Sequence, residues 1–229
     1  MGASLIILDP ELCLTTPEYH WLSTGVRAID HCIEALCSLE ATPESDDKAA
    51  QGLRLLAPSL LRCKVDLKDV EARRQCQLGV RYAMENIRSG VPMGGSHAIG
   101  HMLGPLGVPH GITSCIMCPA VMRYNLAHAD GNQEISRRQD KVRQVLWSDE
   151  VVAETLRAAR LDDKSSSLSK VLNVFIRALG MPRTLREVGV ERDVIPSLAE
   201  RALADFWAGT NPVPLVRAEQ VREILEMVV

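Results

Sequence analysis

Apolar residues recur at intervals of three and four along most of this 229-residue chain, a period that commits it to helices. Val26, Ile29, Ile33 and Leu36 draw one stripe, which predicts a helix through about Leu39 with Ser23 or Thr24 as its cap. Ala49, Leu53, Leu56, Leu60 and Leu61 mark a second helix over 45–65, where Pro58 should kink or break the run. A third spans 71–87, with Leu78, Tyr82 and Met84 as candidate core positions. Helices follow over 112–126, with another proline at Pro119, then over 136–161 and 168–179. Shorter ones are expected over 184–188 and 195–206, and a last one from Ala218. The single β-like run is Leu5-Ile6-Ile7-Leu8, a short extended segment closed by Asp9-Pro10. Many helices with short links and no repeat predict one all-α, bundle-like domain covering 1–229.

Composition narrows the functions open to such a domain. Aromatics are only 3% of the chain, so the core must be built from Leu, Val, Ile, Ala and Met. A formal charge of −3 supplies no basic field for a phosphate backbone, and nucleic acid is not an expected partner. The apolar start lacks a basic region and stops at Asp9, too short for a signal peptide or a membrane span. Seven cysteines, an odd number in a long chain, read as reduced thiols in a cytoplasmic protein. Cys115 and Cys118 form a Cys-x-x-Cys inside an apolar helix and read as buried thiols, while Trp21, Trp147 and Trp207 read as packing.

Chemistry is concentrated between Ser89 and Gly111. Seven of the fifteen glycines (90, 94, 95, 100, 104, 107 and 111) and three of the six histidines fall there. His97 and His101 are four apart, which places both imidazoles on one helix face. His110 follows a Gly- and Pro-rich link that can fold back, and His31 lies one helical turn after Arg27. Convergent neutral imidazoles suit a divalent zinc or iron ion; the alternative, an ordinary packed or surface histidine, is favoured for the isolated His20 and His128 rather than for the His97, His101 and His110 group.

The run from Gly94 to Gly104, then Pro109-His110-Gly111 and Pro119 to Asn125, resembles the signature of the iron-containing alcohol dehydrogenases and maleylacetate reductases. Asp9-Pro10-Glu11-Leu12, Thr24-Gly25 and His31 to Ala35 resemble the start of that family's C-terminal helical domain, and Asn211-Pro212 its end. The resemblance implies that helical fold, with the family's N-terminal dinucleotide-binding domain absent. NAD(P) is then not expected on this chain alone, and a nucleotide-binding partner domain or a homo-oligomer is implied, acting on a small-molecule substrate. It also implies a metal held by an Asp and by histidines that correspond to His31, His97 and His110, with His101 facing the substrate. The chain departs from this pattern at Arg27, which stands where the Asp would be. Asp30 is turned roughly 100° away from His31 around the helix. The link from His101 to His110 is also one residue shorter than in the commoner dehydrogenases.

A guanidinium has no lone pair to give a metal. At about 4 Å and an effective dielectric near 20 it repels each unit of positive charge by about 4 kcal/mol. Three readings of Arg27 follow. The ion persists on His31, His97 and His110 with Arg27 turned away; or Arg27 takes over its electrostatic role; or Arg27 pairs with Asp30 or Glu34 as structure. In each, Glu34 can orient His31 from behind. The corresponding functions are a metal-assisted carbonyl/alcohol oxidoreductase that draws its nucleotide from elsewhere, a metal-free lyase, isomerase or cyclase using Arg27, His97 and His101, and a non-catalytic fragment that self-associates.

Overall fold

The structure is a computed structural model and describes residues 5–229. Among these residues every regular element is helical. The first long helix, α1 (Glu18–Cys37), begins earlier than its apolar stripe suggests, behind Pro17. Ser23 and Thr24 are therefore interior residues, and both hydroxyls bond back to the His20 carbonyl, at 3.3 and 2.6 Å. Thr42 caps α2 (Pro43–Val65) through a reciprocal pair with Ser45, and Asp69 caps α3 (Val70–Arg88). The α2 helix continues through Pro58, and α5 (His110–Ala127) continues through Pro119, so neither proline breaks its helix.

The buried face of α3 is not the one its large residues mark. Leu78 and Tyr82 are half-buried and Met84 is 45% exposed, while Ala72, Cys76, Gly79 and Ala83 face inward. Small residues win because they allow α3 to sit close on α2: a Cβ on Gly79 would stand 2.6 Å from the Leu56 side chain. The stretch expected as one helix over 136–161 is two, α6 (Gln133–Trp147) and α7 (Glu150–Ala158). Asp149 divides them by accepting the Val151 and Val152 amides at 2.9 and 3.3 Å.

Between α3 and α5 lies the short helix α4 (Gly95–Leu103). The chain closes with α8 (Leu168–Ala178), α9 (Ile195–Ala202), α10 (Phe206–Thr210) and α11 (Ala218–Glu226). α1 is central, with α2, α3, α5 and α6 packed around it, and α4 rests on α5 beneath α9 and α10. Every residue of α5 from Gly111 to Met122 is buried, which explains a helix apolar on all sides. Leu5 to Leu8 form no strand: they are irregular and 76, 74, 79 and 42% exposed, since no sheet edge is present among the described residues to pair with them. All seven cysteines are free, and Cys115 and Cys118 are buried as expected. No helix of the described residues is long and apolar enough to cross a membrane.

Candidate active site

Two elements build the site. α1 carries Arg27, Asp30, His31 and Glu34 on its inner half, and the Gly-rich entry to α4 brings its backbone against them. Gly94 and Ser96 donate their amides to the two oxygens of Glu34 at 2.9 and 2.8 Å. Glycine is required at 94 for this approach, because a Cβ there would lie 3.1 Å from Glu34 Oε1 and 2.9 Å from Asn211 Oδ1. Asn211 holds the next residue from the far side. Its Oδ1 accepts the Gly95 amide at 3.0 Å and the Asn125 Nδ2 at 3.1 Å, and its own Nδ2 donates to Asn125 Oδ1.

A line of hydrogen bonds runs inward to outward from this anchor. Glu34 Oε2 lies 2.7 Å from His97 Nδ1, and His97 Nε2 lies 3.0 Å from His31 Nδ1. Glu34 already accepts two amides, so His97 carries its proton on Nδ1 and His31 in turn donates to His97 Nε2. His97 and Glu34 are 0 and 3% exposed, so the line is sealed from solvent at its carboxylate end.

Arg27 and Asp30 stand beside that line. The pairing expected between Arg27 and Asp30 or Glu34 is indirect: Arg27 Nη1 donates to Ser114 Oγ at 3.2 Å, and Ser114 Oγ donates to Asp30 Oδ2 at 2.6 Å. Ser96 Oγ reaches the same Asp30 oxygen at 2.7 Å. Asp30 Oδ1 and Arg27 Nε are both buried without a partner.

Burial dominates the proton affinities. It drives His31 down to about 2, helped by the neighbouring imidazoles and Arg27, and His97 to about 4 against the pull of Asp30. His110, at the exposed edge of the group, also falls to about 4, through partial loss of solvent first and Arg27 second. The carboxyls move the other way. Burial lifts Glu34 to about 7 although the Gly94 and Ser96 amides resist it, and burial raises Asp30 as well.

His101 lies on the same face of α4 as His97, as its spacing predicts, with ring centres 6.4 Å apart. It contacts Asp205 Oδ2 through Nδ1 at 2.8 Å and stacks on the exposed His110 ring at 5.5 Å. Trp207, expected only as packing, covers both rings, at 5.5 Å from His97 and 5.3 Å from His101. Asp205, Trp207, Ser96 and Ser114 are the site residues that sequence reasoning passed over. Asp-x-Trp at a helix start is the only local signal, since Asp205 caps the Trp207 amide at 3.0 Å.

A profile of the Fe-containing alcohol dehydrogenase family, C-terminal, matches residues 21–229. The chain belongs to that family. It is 40% identical to the dehydrogenase ALT3 of Alternaria alternata, over 97% of this chain and 60% of that protein. It is 36% identical to the dehydrogenase FUM7 of Gibberella moniliformis, over 99% of this chain and 55% of that protein. The chain thus spans little more than half the length of these curated relatives. A crystal structure of 1,3-propanediol oxidoreductase superposes with a TM-score of 0.76 at 25% identity, covering 96% of this chain and 55% of that one. Maleylacetate reductase from Agrobacterium tumefaciens shares the fold at 23% identity, with a TM-score of 0.76 over 96% of this chain and 55% of its own. The helical domain and the dehydrogenase kinship that the motifs implied are both met.

The family name implies iron, and the residues present do not fit such an ion. Among the described residues the side chains whose ligand atoms converge closely enough to hold an ion are the buried Asp30, Glu34 and His97, a different set from His31, His97 and His110. Two neighbouring ligand atoms, each at about 2.1 Å from an ion, stand about 3.4 Å apart when it is tetrahedral and about 3.0 Å when it is octahedral. The 2.7 Å from His97 to Glu34 and the 3.0 Å from His97 to His31 are hydrogen bonds, with the paired atoms directed at each other. Both Glu34 oxygens are occupied by amides, and Arg27 adds a positive charge beside His31, His97 and His110.

Proposed function

We propose that this chain is the helical half of an oxidoreductase that interconverts a carbonyl compound and an alcohol without a metal ion, Arg27 supplying the positive charge. The hydride belongs to a nicotinamide nucleotide held outside these residues, because the Gly-rich segment here separates histidines on a helix and follows no strand. What this chain contributes is the oxygen and its proton. Arg27, stripped of most of its water, stabilises negative charge on the substrate oxygen.

The proton moves along Glu34, His97 and His31. In the oxidising direction the alcohol gives its proton to His31 Nε2 while His31 Nδ1–H passes to His97 Nε2 and His97 Nδ1–H passes to Glu34. Neither ring has to hold a second proton, which their lowered affinities forbid, and the proton comes to rest on a carboxyl poised at about 7. Reduction runs the same shifts backwards. His101, braced by Asp205 and Trp207, faces the substrate from the other side.

The continuous bonded line from Glu34 to His31 is the observation that carries this reading. Its test is nicotinamide-dependent turnover of small aldehydes and alcohols by the protein before and after chelation, with infrared titration of the Glu34 carboxyl. Turnover that survives chelation, and a protonated-carboxyl band that titrates near pH 7 and is missing in Glu34→Gln, are expected. Loss of activity on chelation, restored by zinc or iron, would overturn it.

A further inference from the structure

A cavity of about 200 Å³ opens between α5, α8 and the segment that follows α8, with Arg123, Ser169, Asn173 and Arg183 in its lining. Arg123 stands thirteen residues along α5 from His110, about 20 Å at the helical rise of about 1.5 Å per residue, so this cavity is separate from the candidate active site. No acidic side chain lines it, and neither guanidinium meets a carboxylate within 4.0 Å among the described residues. The nearest acid along the chain from Arg183, Glu187, is already engaged. It accepts the Arg183 and Thr184 amides, each at 2.9 Å, and the Thr184 hydroxyl at 3.0 Å.

Ser169 is the sharper sign of a ligand. It is only 8% exposed, lies in the first turn of α8, and its Oγ has no hydrogen-bond partner among the described residues. Ser167 gives that turn no side-chain cap and no acidic residue stands in it, so the positive end of α8 adds to the field of the two arginines. Asn173 Nδ2 donates to the Ser169 carbonyl at 3.0 Å, which leaves one of its two N–H groups free. We infer that this cavity binds the phosphate group of a small molecule, Arg123 and Arg183 holding its charged oxygens and Ser169 Oγ donating to another. A phosphate has three acceptor oxygens for these three donors, whereas the two oxygens of a carboxylate are satisfied by one guanidinium fork. The volume is that of about seven water molecules at about 30 Å³ each, which suits inorganic phosphate or a phosphomonoester with a substituent of a few atoms.

The test is calorimetric titration of the protein with inorganic phosphate and with glycerol 1-phosphate, malonate serving as the carboxylate control. Saturable binding of one phosphate per chain is expected, with a Kd of about 1 mM or below that rises with added chloride. Arg123→Gln and Arg183→Gln should each weaken it at least about tenfold, and Ser169→Ala about fivefold. Arg123 is exposed and unpaired, so its variant should keep the parent's melting temperature and show that the loss is one of binding. Tighter binding of glycerol 1-phosphate makes the ligand a phosphomonoester, and equal or weaker binding makes it inorganic phosphate; either supports the site. The inference is overturned if no saturable heat is seen up to about 20 mM phosphate. Malonate binding as tightly as phosphate overturns it too, as does undiminished binding by the folded double variant of Arg123→Gln and Arg183→Gln. None of these readouts involves turnover, so they bear on this cavity alone and not on the carbonyl/alcohol reading.

Discussion

Glu34 on α1 holds His97 on α4 across 63 residues of sequence, with 2.7 Å between Oε2 and Nδ1. The same carboxylate fixes the α4 entry by accepting two backbone amides, so one side chain sets both the ring's orientation and the loop that carries it. Structure and chemistry are joined at this residue.

Removing that carboxylate should therefore be expensive. Glu34→Ala leaves the Gly94 and Ser96 amides and the His97 ring without an acceptor in a site closed to water. Each unpaired buried donor costs about 1–3 kcal/mol, so for three donors a loss of at least roughly 3 kcal/mol is expected in urea unfolding with an unchanged slope. A loss below about 1 kcal/mol would show that the three donors have other partners.

The lowered affinity of His31 predicts a pH-dependent difference between the protein and His31→Asn. Folded His31 stays neutral to about 2, whereas in the unfolded chain it takes a proton near 6.5. The unfolded state thus binds the extra proton, and the stability that His31 contributes is complete above about pH 6.5 and is lost as the pH falls below it. The variant lacks this loss. Its deficit relative to the parent should shrink by about 1.4 kcal/mol per pH unit between 6 and 4.5, a trend that chemical unfolding at four pH values would resolve. A constant deficit would mean that His31 titrates normally in the fold.

The α1–α5 contact makes a purely steric prediction. A Cβ on Gly111 would lie 2.6, 2.7 and 2.8 Å from the Ser23 carbonyl carbon, its oxygen and the Thr24 nitrogen. Those are backbone atoms of a central helix and cannot swing aside. Gly111→Ala should cost about 2–3 kcal/mol, seen as a fall in melting temperature. Gly104→Ala is the control, since nothing lies within 4 Å of a Cβ there and little change is expected.

Much of this was legible beforehand, for identifiable reasons. The stripe on α1 and the four-residue spacing of His97 and His101 are local patterns, and a local pattern survives into the fold. Arg27 was visible as a departure from the Asp that the resemblance implies, because exchanging an acid for a base changes the charge of a whole site. What stayed hidden depends on tertiary contact. The inward face of α3 was chosen by Gly79 and Ala83 because of how closely α2 approaches, and no periodicity reports that distance. Ser114 and Asp205 join the site through partners 84 and 104 residues away, Asp30 and His101. Even Asp30, placed off the His31 direction by helix geometry, still faces the site, since it approaches His97 from the side of Ser96 and Ser114 at 3.5 Å.

The substitution at Arg27 also predicts its own reversal. The carboxylate introduced by Arg27→Asp would stand one turn before His31, offering an oxygen ligand in place of a cation and removing the positive charge that depresses His31, His97 and His110. Zinc should then pull His31 and His97 off their mutual hydrogen bond, because two imidazoles and a carboxylate are a competent ligand set. At a hundredfold excess of zinc over Kd the variant gains about 2.7 kcal/mol, or roughly 5–10 °C in melting temperature for a chain of this length. The parent should show no comparable shift, and adding His97→Ala to the variant should abolish it. If the parent itself gains several degrees from zinc in a His97-dependent way, then the guanidinium does not exclude the ion, and the relay from Glu34 to His31 is a resting arrangement that metal binding rearranges.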